Sequence, residues 1–192
     1  MRHIQGLRPV TLLAVLATLA AQGCLFSPEQ KPPKPDIPFE YAGQFAPEAT
    51  LLTMLQAYER RDSLKTADVY DVEYTGGSVD PSGIVGNFSF TKVDEVRHVG
   101  RLKLDPDIVS VQLDFGNQTT WQRTPADAAD PPEWAQIQIN FATIRVDDIG
   151  ASTFESSNQA LTYVFKPYQN APGDTTWTII RWSEIVTNPP PI

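Results

Sequence analysis

The chain has one cysteine, Cys24, and two histidines, His3 and His98, among its 192 residues. A lone thiol cannot pair within the chain, so a disulfide-stapled scaffold is excluded. One cysteine and two distant histidines cannot build a zinc site. Neither "DIVSVQLD" nor "VDD" has the ligand spacing of a calcium loop, and no glycine-rich phosphate loop or Gly-x-Ser-x-Gly elbow is present. No cofactor and no metal are therefore expected. Clustered Lys and Arg are missing as well. The formal charge is -8, and Arg2 and Arg8 are the only charged side chains in the first 23 residues apart from His3, so the remainder is more acidic still. That balance excludes nucleic acid as the main partner. There is no repeat of solenoid type. What is present, 41% hydrophobic residues, suffices for one domain with its own core.

The amino terminus reads as a processing signal. Arg2, His3 and Arg8 precede an apolar run over 10–21 that is too short to span a bilayer as a helix, and small residues follow. Its end, "AAQGC", resembles the lipobox of bacterial lipoproteins, with Ala21, Gln22 and Gly23 before the acceptor Cys24. The resemblance departs from the family's preference at Ala21 and Gln22. It implies diacylglycerol on the Cys24 thiol, an anchor stable because two or three acyl chains each contribute about 0.8 kcal/mol per buried methylene. Palmitate is the expected kind of acyl group. "SPEQKPPKPDIPFEY" then runs as a polyproline spacer at about 3.1 Å per residue. Leu25, rather than Asp, follows the cysteine. By resemblance to lipoprotein sorting, the destination is the outer membrane, facing the periplasm.

From Pro47 the period becomes helical. "PEATLLTMLQAYERRD" places Leu51, Leu52, Leu55 and Tyr58 on one stripe, with Pro47 in the first turn and Arg60 and Arg61 closing the helix. Asp62 can cap a short second helix through "SLKTADVY", with Leu64, Ala67 and Tyr70 inward. "TGGSVDPSG" has turn chemistry and "IVGNFSF" suits a short strand. "TKVDEVRHVGRLKLDP" predicts a third helix, with Thr91 and Asp94 as a capping-box variant and Val93, Val96, Val99 and Leu102 along one side. The period then becomes two. Four long strands are expected in "IVSVQLDF", "WAQIQINFATIRVDD", "NQALTYVFKPY" and "TTWTIIRWSEIV", with "GASTF" as an extra pairing. Their connections are of hairpin type, so the sheet should be antiparallel. A parity switch near Phe141 predicts a bulge. In the last strand Trp177 and Ile179 fall on one face and Ile180 and Trp182 on the other, which asks for cover on both sides by a loop or by a second subunit in a homodimer. The expected class is α+β, with N-terminal helices on a strongly curved antiparallel sheet of about four to six strands. Four segments follow: 1–23 as signal peptide, 24–46 as lipidated cysteine and tether, 47–187 as the folded domain and 188–192 as a proline-rich tail.

The run "LLTMLQAYERRDSLKTADVY", with Tyr58, Arg61 and Asp62, resembles the opening of domains related to nuclear transport factor 2. "TTWTIIRWSEI" is similar to the Trp-rich last strand of lipoproteins in that group. The resemblance implies a cone-shaped, cystatin-like fold with a pocket at its open end. It also implies that any enzyme of this kind would use Asp, His or Tyr inside the cone. His98 reads as a solvated helix residue, and Asp114 and Glu184 alternate with apolar neighbours and are expected toward solvent or a rim. The aromatic residues Tyr58, Tyr70, Trp134, Tyr163 and Trp182 are the pocket candidates. The leading reading is a membrane-anchored envelope lipoprotein whose domain binds a small apolar ligand or an envelope protein without catalysis. The alternatives are a small-molecule isomerase, dehydratase or hydrolase using the cone, or a purely structural envelope component. If Cys24 carries the anchor, Cys24→Ser will abolish labelling by radioactive palmitate and leave an uncleaved precursor. Continued labelling of the variant would refute the lipobox.

Overall fold

The structure is a computed structural model that describes residues 38–79, 87–150, 153–171 and 173–185. Cys24, the expected signal peptide, most of the expected tether and residues 186–192 lie outside the described residues. Helix α1 (Pro47–Glu59) begins with Pro47 in its first turn and buries Leu51, Met54 and Leu55. Helix α2 (Ser63–Val69) is capped by Asp62, whose side chain accepts from the Lys65 N–H. Helix α3 (Lys92–Leu104) opens with the expected capping box between Thr91 and Asp94. The strands are β1 (Tyr70–Val79), β2 (Phe88–Thr91), β3 (Ile108–Asp114), β4 (Gln122–Pro125), β5 (Ala135–Asp148), β6 (Thr153–Ala171) and β7 (Asp174–Ile185). They form one sheet in the order β2-β1-β7-β6-β5-β3, with β4 also paired to β5. This is an α+β arrangement in which helices cover one face of a bent sheet.

Several expectations need correction. Among the described residues the sheet has seven strands, and β1 and β7 run parallel. Hairpin connections dictate antiparallel pairing only between consecutive strands, whereas β1 and β7 are neighbours from opposite ends of the domain. "TGGSV" is strand and not turn, because Gly76 serves close packing there. Tyr70 begins β1, and Leu64 is 80% exposed while Thr66 and Val69 are buried. On α3, Val93 is exposed and Val99 is the one fully buried side chain. Apart from these corrections, the segment before α1 groups from Glu40 onward with the compact unit that holds the sheet and helices. Its first residues are fastened by hydrogen bonds from Tyr41 Oη to Asp62 Oδ2 (2.6 Å), from the Ala42 N–H to Gln56 Oε1 (3.0 Å) and from the Trp177 N–H to the Gln44 carbonyl (2.7 Å).

Two bulges shape the sheet. The β5–β6 register slips between Ile139 and Ala142 and again before Ile144, where the parity switch in β5 predicts a bend. A second slip lies in β7, where Phe165 faces Ile179 and Val164 faces Arg181, leaving Ile180 as the extra residue. This bulge returns Trp182 to the inner side already held by Trp177 and Ile179, and all three pack on the core. The two-sided apolar pattern of β7 thus has a cause within the chain. On the outer face, Arg181 donates to Asp130 at 2.6 and 3.1 Å and so straps the loop before β5 across β7.

A buried carboxylate joins three adjacent strands of the sheet. Asp71 on β1 is 2% exposed. It accepts from the Tyr168 hydroxyl, from the Glu73 N–H at 2.9 Å and from Thr178 Oγ1 at 3.2 Å, with Lys166 Nζ at 3.6 Å. Burial pushes its pKa up, but the hydrogen bonds from Tyr168 and Glu73 and the charge of Lys166 outweigh that and hold it below the usual carboxylate value. A depressed carboxylate stabilises the fold above its unfolded pKa of about 3.9, and that contribution is lost as pH falls through the lower folded value. Asp71→Ala should cost about 2–4 kcal/mol in urea denaturation at pH 7. The cost should shrink as the pH is lowered below about 4, the unfolded carboxylate pKa; a pH-independent cost would show that the charge is not what matters.

Candidate functional site

The sheet's concave side, α1 and α3 enclose a cavity of about 560 Å³, within the usual range for small-molecule pockets. Its wall is mainly apolar and aromatic. Tyr58 comes from α1, Tyr70 and Tyr74 from β1, Tyr163 from β6 and Trp182 from β7. The rings form a connected set: Tyr70 and Tyr74 have centroids 4.3 Å apart, Tyr163 and Trp182 6.5 Å, and Phe90 and Trp182 6.2 Å. Four of the five expected pocket residues therefore share one cavity. Trp134 is elsewhere, beside a shallow depression with Arg123, Pro132 and Glu133. It sits just before β5, at the far end of that strand from Ile144, which does line the cavity.

Glu95 is the residue that sequence reasoning missed. It projects from the first turns of α3 into the aromatic wall, where its Oε2 accepts from the Tyr58 hydroxyl and its Oε1 from the Tyr74 hydroxyl at 3.1 Å. The signal was available, because Glu95 stands four residues before the buried Val99 and so shares its helix face. Assigning α3's inner face to the valine stripe alone hid it. Burial pushes the phenols of Tyr58, Tyr74 and Tyr163 up, and the Glu95 charge adds to the rise in each. Tyr70 is raised by burial and by its neighbours Tyr58 and Glu95. All four therefore stay neutral donors at physiological pH.

His98 is exposed, as expected, but it lies at the mouth with its ring centroid 6.4 Å from that of Tyr58. Asp94 is committed to the cap of α3 and to Arg97 at 3.3 Å. Asp114 is exposed, in agreement with its alternation on β3. Glu184 departs from the expectation that it faces solvent: it is 7% exposed. The β7 bulge inverts the parity on which that expectation rested, so Glu184 follows Trp182 on the inner face, opposite Leu161 and Ser78. Burial pushes its carboxyl up against a smaller effect of the Ser78 hydroxyl, and its Oε1 has no hydrogen-bond partner. Among the described residues no three metal-ligating side chains come together.

Gly76 is the local requirement that lets this wall close. A Cβ there would collide with the Tyr74 hydroxyl and stand 3.0 Å from Cε3 of Trp182. Only hydrogen leaves room for Tyr74 to reach Glu95 across the strand.

No protein-family model matches the sequence, and neither does any curated protein. Solved structures similar to it include a nuclear transport factor 2-like superfamily protein from Salmonella enterica, 9% identical over 74% of this chain and 89% of that one, with a TM-score of 0.49. Another is a protein with a cystatin-like fold from Caulobacter vibrioides, 14% identical over 74% and 87%, TM-score 0.46. A third is a ketosteroid isomerase-like protein from Erwinia carotovora, 13% identical over 74% and 94%, TM-score 0.44. Likenesses at this level carry no argument about ligand or reaction. Gly76→Ala should lower stability by about 1–3 kcal/mol, through overpacking, and should alter Trp fluorescence. A variant as stable as the wild type, with unchanged emission, would disprove the tight approach.

Proposed function

We propose that this chain is an envelope lipoprotein, anchored through Cys24, whose cavity binds a small, largely apolar ligand without transforming it. One observation carries the binding reading: the cavity is left open, and the carboxylate that enters it already accepts a tyrosine hydroxyl on each oxygen. Such a carboxylate keeps spare lone pairs for a ligand's donor but is fixed in place by two neutral phenols, which suits recognition more than proton abstraction. The acidic group nearest the mouth, Asp94, is spent on capping, and His98 stands in water.

Acid-base catalysis by Glu95 is the second reading. It is favoured by the same carboxylate lying among hydroxyl donors beside an apolar wall, an arrangement able to move a proton next to a buried substrate. Titration of the full-length protein with the neutral apolar probe N-phenyl-1-naphthylamine separates the two. Binding should saturate, change Trp emission, and be lost in Leu161→Trp, which fills the cavity from β6. No saturable binding would sink the proposal. Turnover of an isomerase, dehydratase or hydrolase substrate that disappears in Glu95→Gln would replace it with the enzyme.

A further inference from the structure

Two carboxylates on the inner side of the cone, Glu95 and Glu184, are held by different elements: Glu95 lines the cavity, and Glu184 lies behind its wall, paired in register with the lining residue Leu161. Glu95 reaches the aromatic wall from α3, and Glu184 follows Trp182 on β7. Tyr163 pairs with Trp182 in the sheet, and its phenol feels both charges. Their environments differ in one respect that matters. Glu95 is satisfied by its two tyrosines, whereas Glu184 is 7% exposed with Oε1 lacking any partner. A buried acceptor left unpaired costs stability that nothing else in the fold returns.

The cationic groups along this cavity are at its outside. Arg97 is more than half exposed and paired with Asp94, and His98 and Arg101 are exposed on the same helix. Water screens them, while a charge held against the aromatic wall is screened far less. The interior therefore combines ring faces with negative charge. A positive charge carried on an apolar body is stabilised by such surroundings, because ring quadrupoles and carboxylates attract it and the alkyl groups suit the wall.

Resting on the binding reading above, we infer that the cavity's ligand is an organic cation of the alkylammonium class, with its charged centre beside Glu95 among Tyr58, Tyr74, Tyr163 and Trp182, and with Glu184 acting on it from behind the wall. The cation would offset the carboxylate charge that the fold alone leaves uncompensated. It would also favour ionisation of Glu184, which burial otherwise opposes.

The test compares benzyltrimethylammonium with neopentylbenzene, the neutral molecule in which carbon replaces the nitrogen, by Trp fluorescence titration of the full-length protein. The cation should bind at least about tenfold more tightly than its neutral isostere. Glu95→Gln should erase most of that preference and Glu184→Gln a smaller part of it, with circular dichroism melts showing that the variants are folded. Equal binding of the two compounds overturns the cation while leaving the apolar-ligand reading standing. Preference for the cation that survives both substitutions overturns the placement in the cavity. Failure of both compounds and of N-phenyl-1-naphthylamine overturns the binding reading and this inference together. If the variants do not fold, the wild-type comparison alone decides between cation and neutral ligand.

Discussion

The hydroxyls of Tyr58 and Tyr74 meet on a single carboxylate, and that junction ties α1, β1 and α3 together inside the cavity. Helix α3 has little else to hold it by burial, since Val99 is its one fully buried side chain. Its remaining attachments are polar as well. Lys92 Nζ reaches the Tyr70 carbonyl at 2.7 Å, and Arg61 donates to the Ile108 carbonyl at 2.8 Å just beyond the helix. A helix packed by large apolar side chains would fill the space under it. One hung on hydrogen bonds encloses that space instead, so the largely polar composition of α3 and the open cavity have one cause. Hydrogen bonds shielded from water by aromatic rings are also worth more than exposed ones, which is how so few of them can hold a wall.

The elements that were legible in the sequence are those whose signal is local. The proline at the start of α1, the Asp62 cap and the Thr91 capping box each depend on a few adjacent residues, and each stands where the sequence puts it. The long strands follow from alternation, and the bend in β5 from its interruption. The same logic applied to β7 would have revealed its bulge, but an interrupted alternation has two readings. One residue added to a strand and a strand covered on both faces produce the same string of letters. In β5 polar residues mark which face is outside on either side of the switch; in β7 Thr178 and Arg181 do so as well, but the adjacent Ile179 and Ile180 between them conceal the extra residue. That ambiguity propagated to Glu184, whose orientation is set by the bulge four residues earlier.

What was illegible is what depends on partners distant in sequence. β1 and β7 become parallel neighbours although they come from opposite ends of the folded unit's sequence, a relation no hairpin rule describes. "TGGS" reads as a turn by propensity, yet the glycines belong to a strand because Tyr74 and Trp182 need the room that Gly76 leaves. Glu95 had the right period for an inward residue, but a charge on an apolar stripe is ordinarily discounted. Only the tyrosines from two other elements make its position tolerable. The pocket aromatics were easier, since most large rings in a small domain end up facing its interior.

The contrast between Asp71 and Glu184 shows where this fold invests its charge. Both are nearly buried acids on neighbouring strands, but they lie on opposite sides of the sheet. Asp71, on the outer side, is surrounded by donors and a lysine that return more than burial removes, so it acts as a fastener between β1, β6 and β7. Glu184, on the inner side, receives one hydroxyl and is left with an empty acceptor. The chain can evidently satisfy a buried carboxylate fully where only stability is at stake. An incompletely satisfied one beside an open aromatic cavity is therefore better explained by a group from outside the chain than by imperfect packing, since buried polar groups left unpaired in a fold mark the places where something other than stability has been selected.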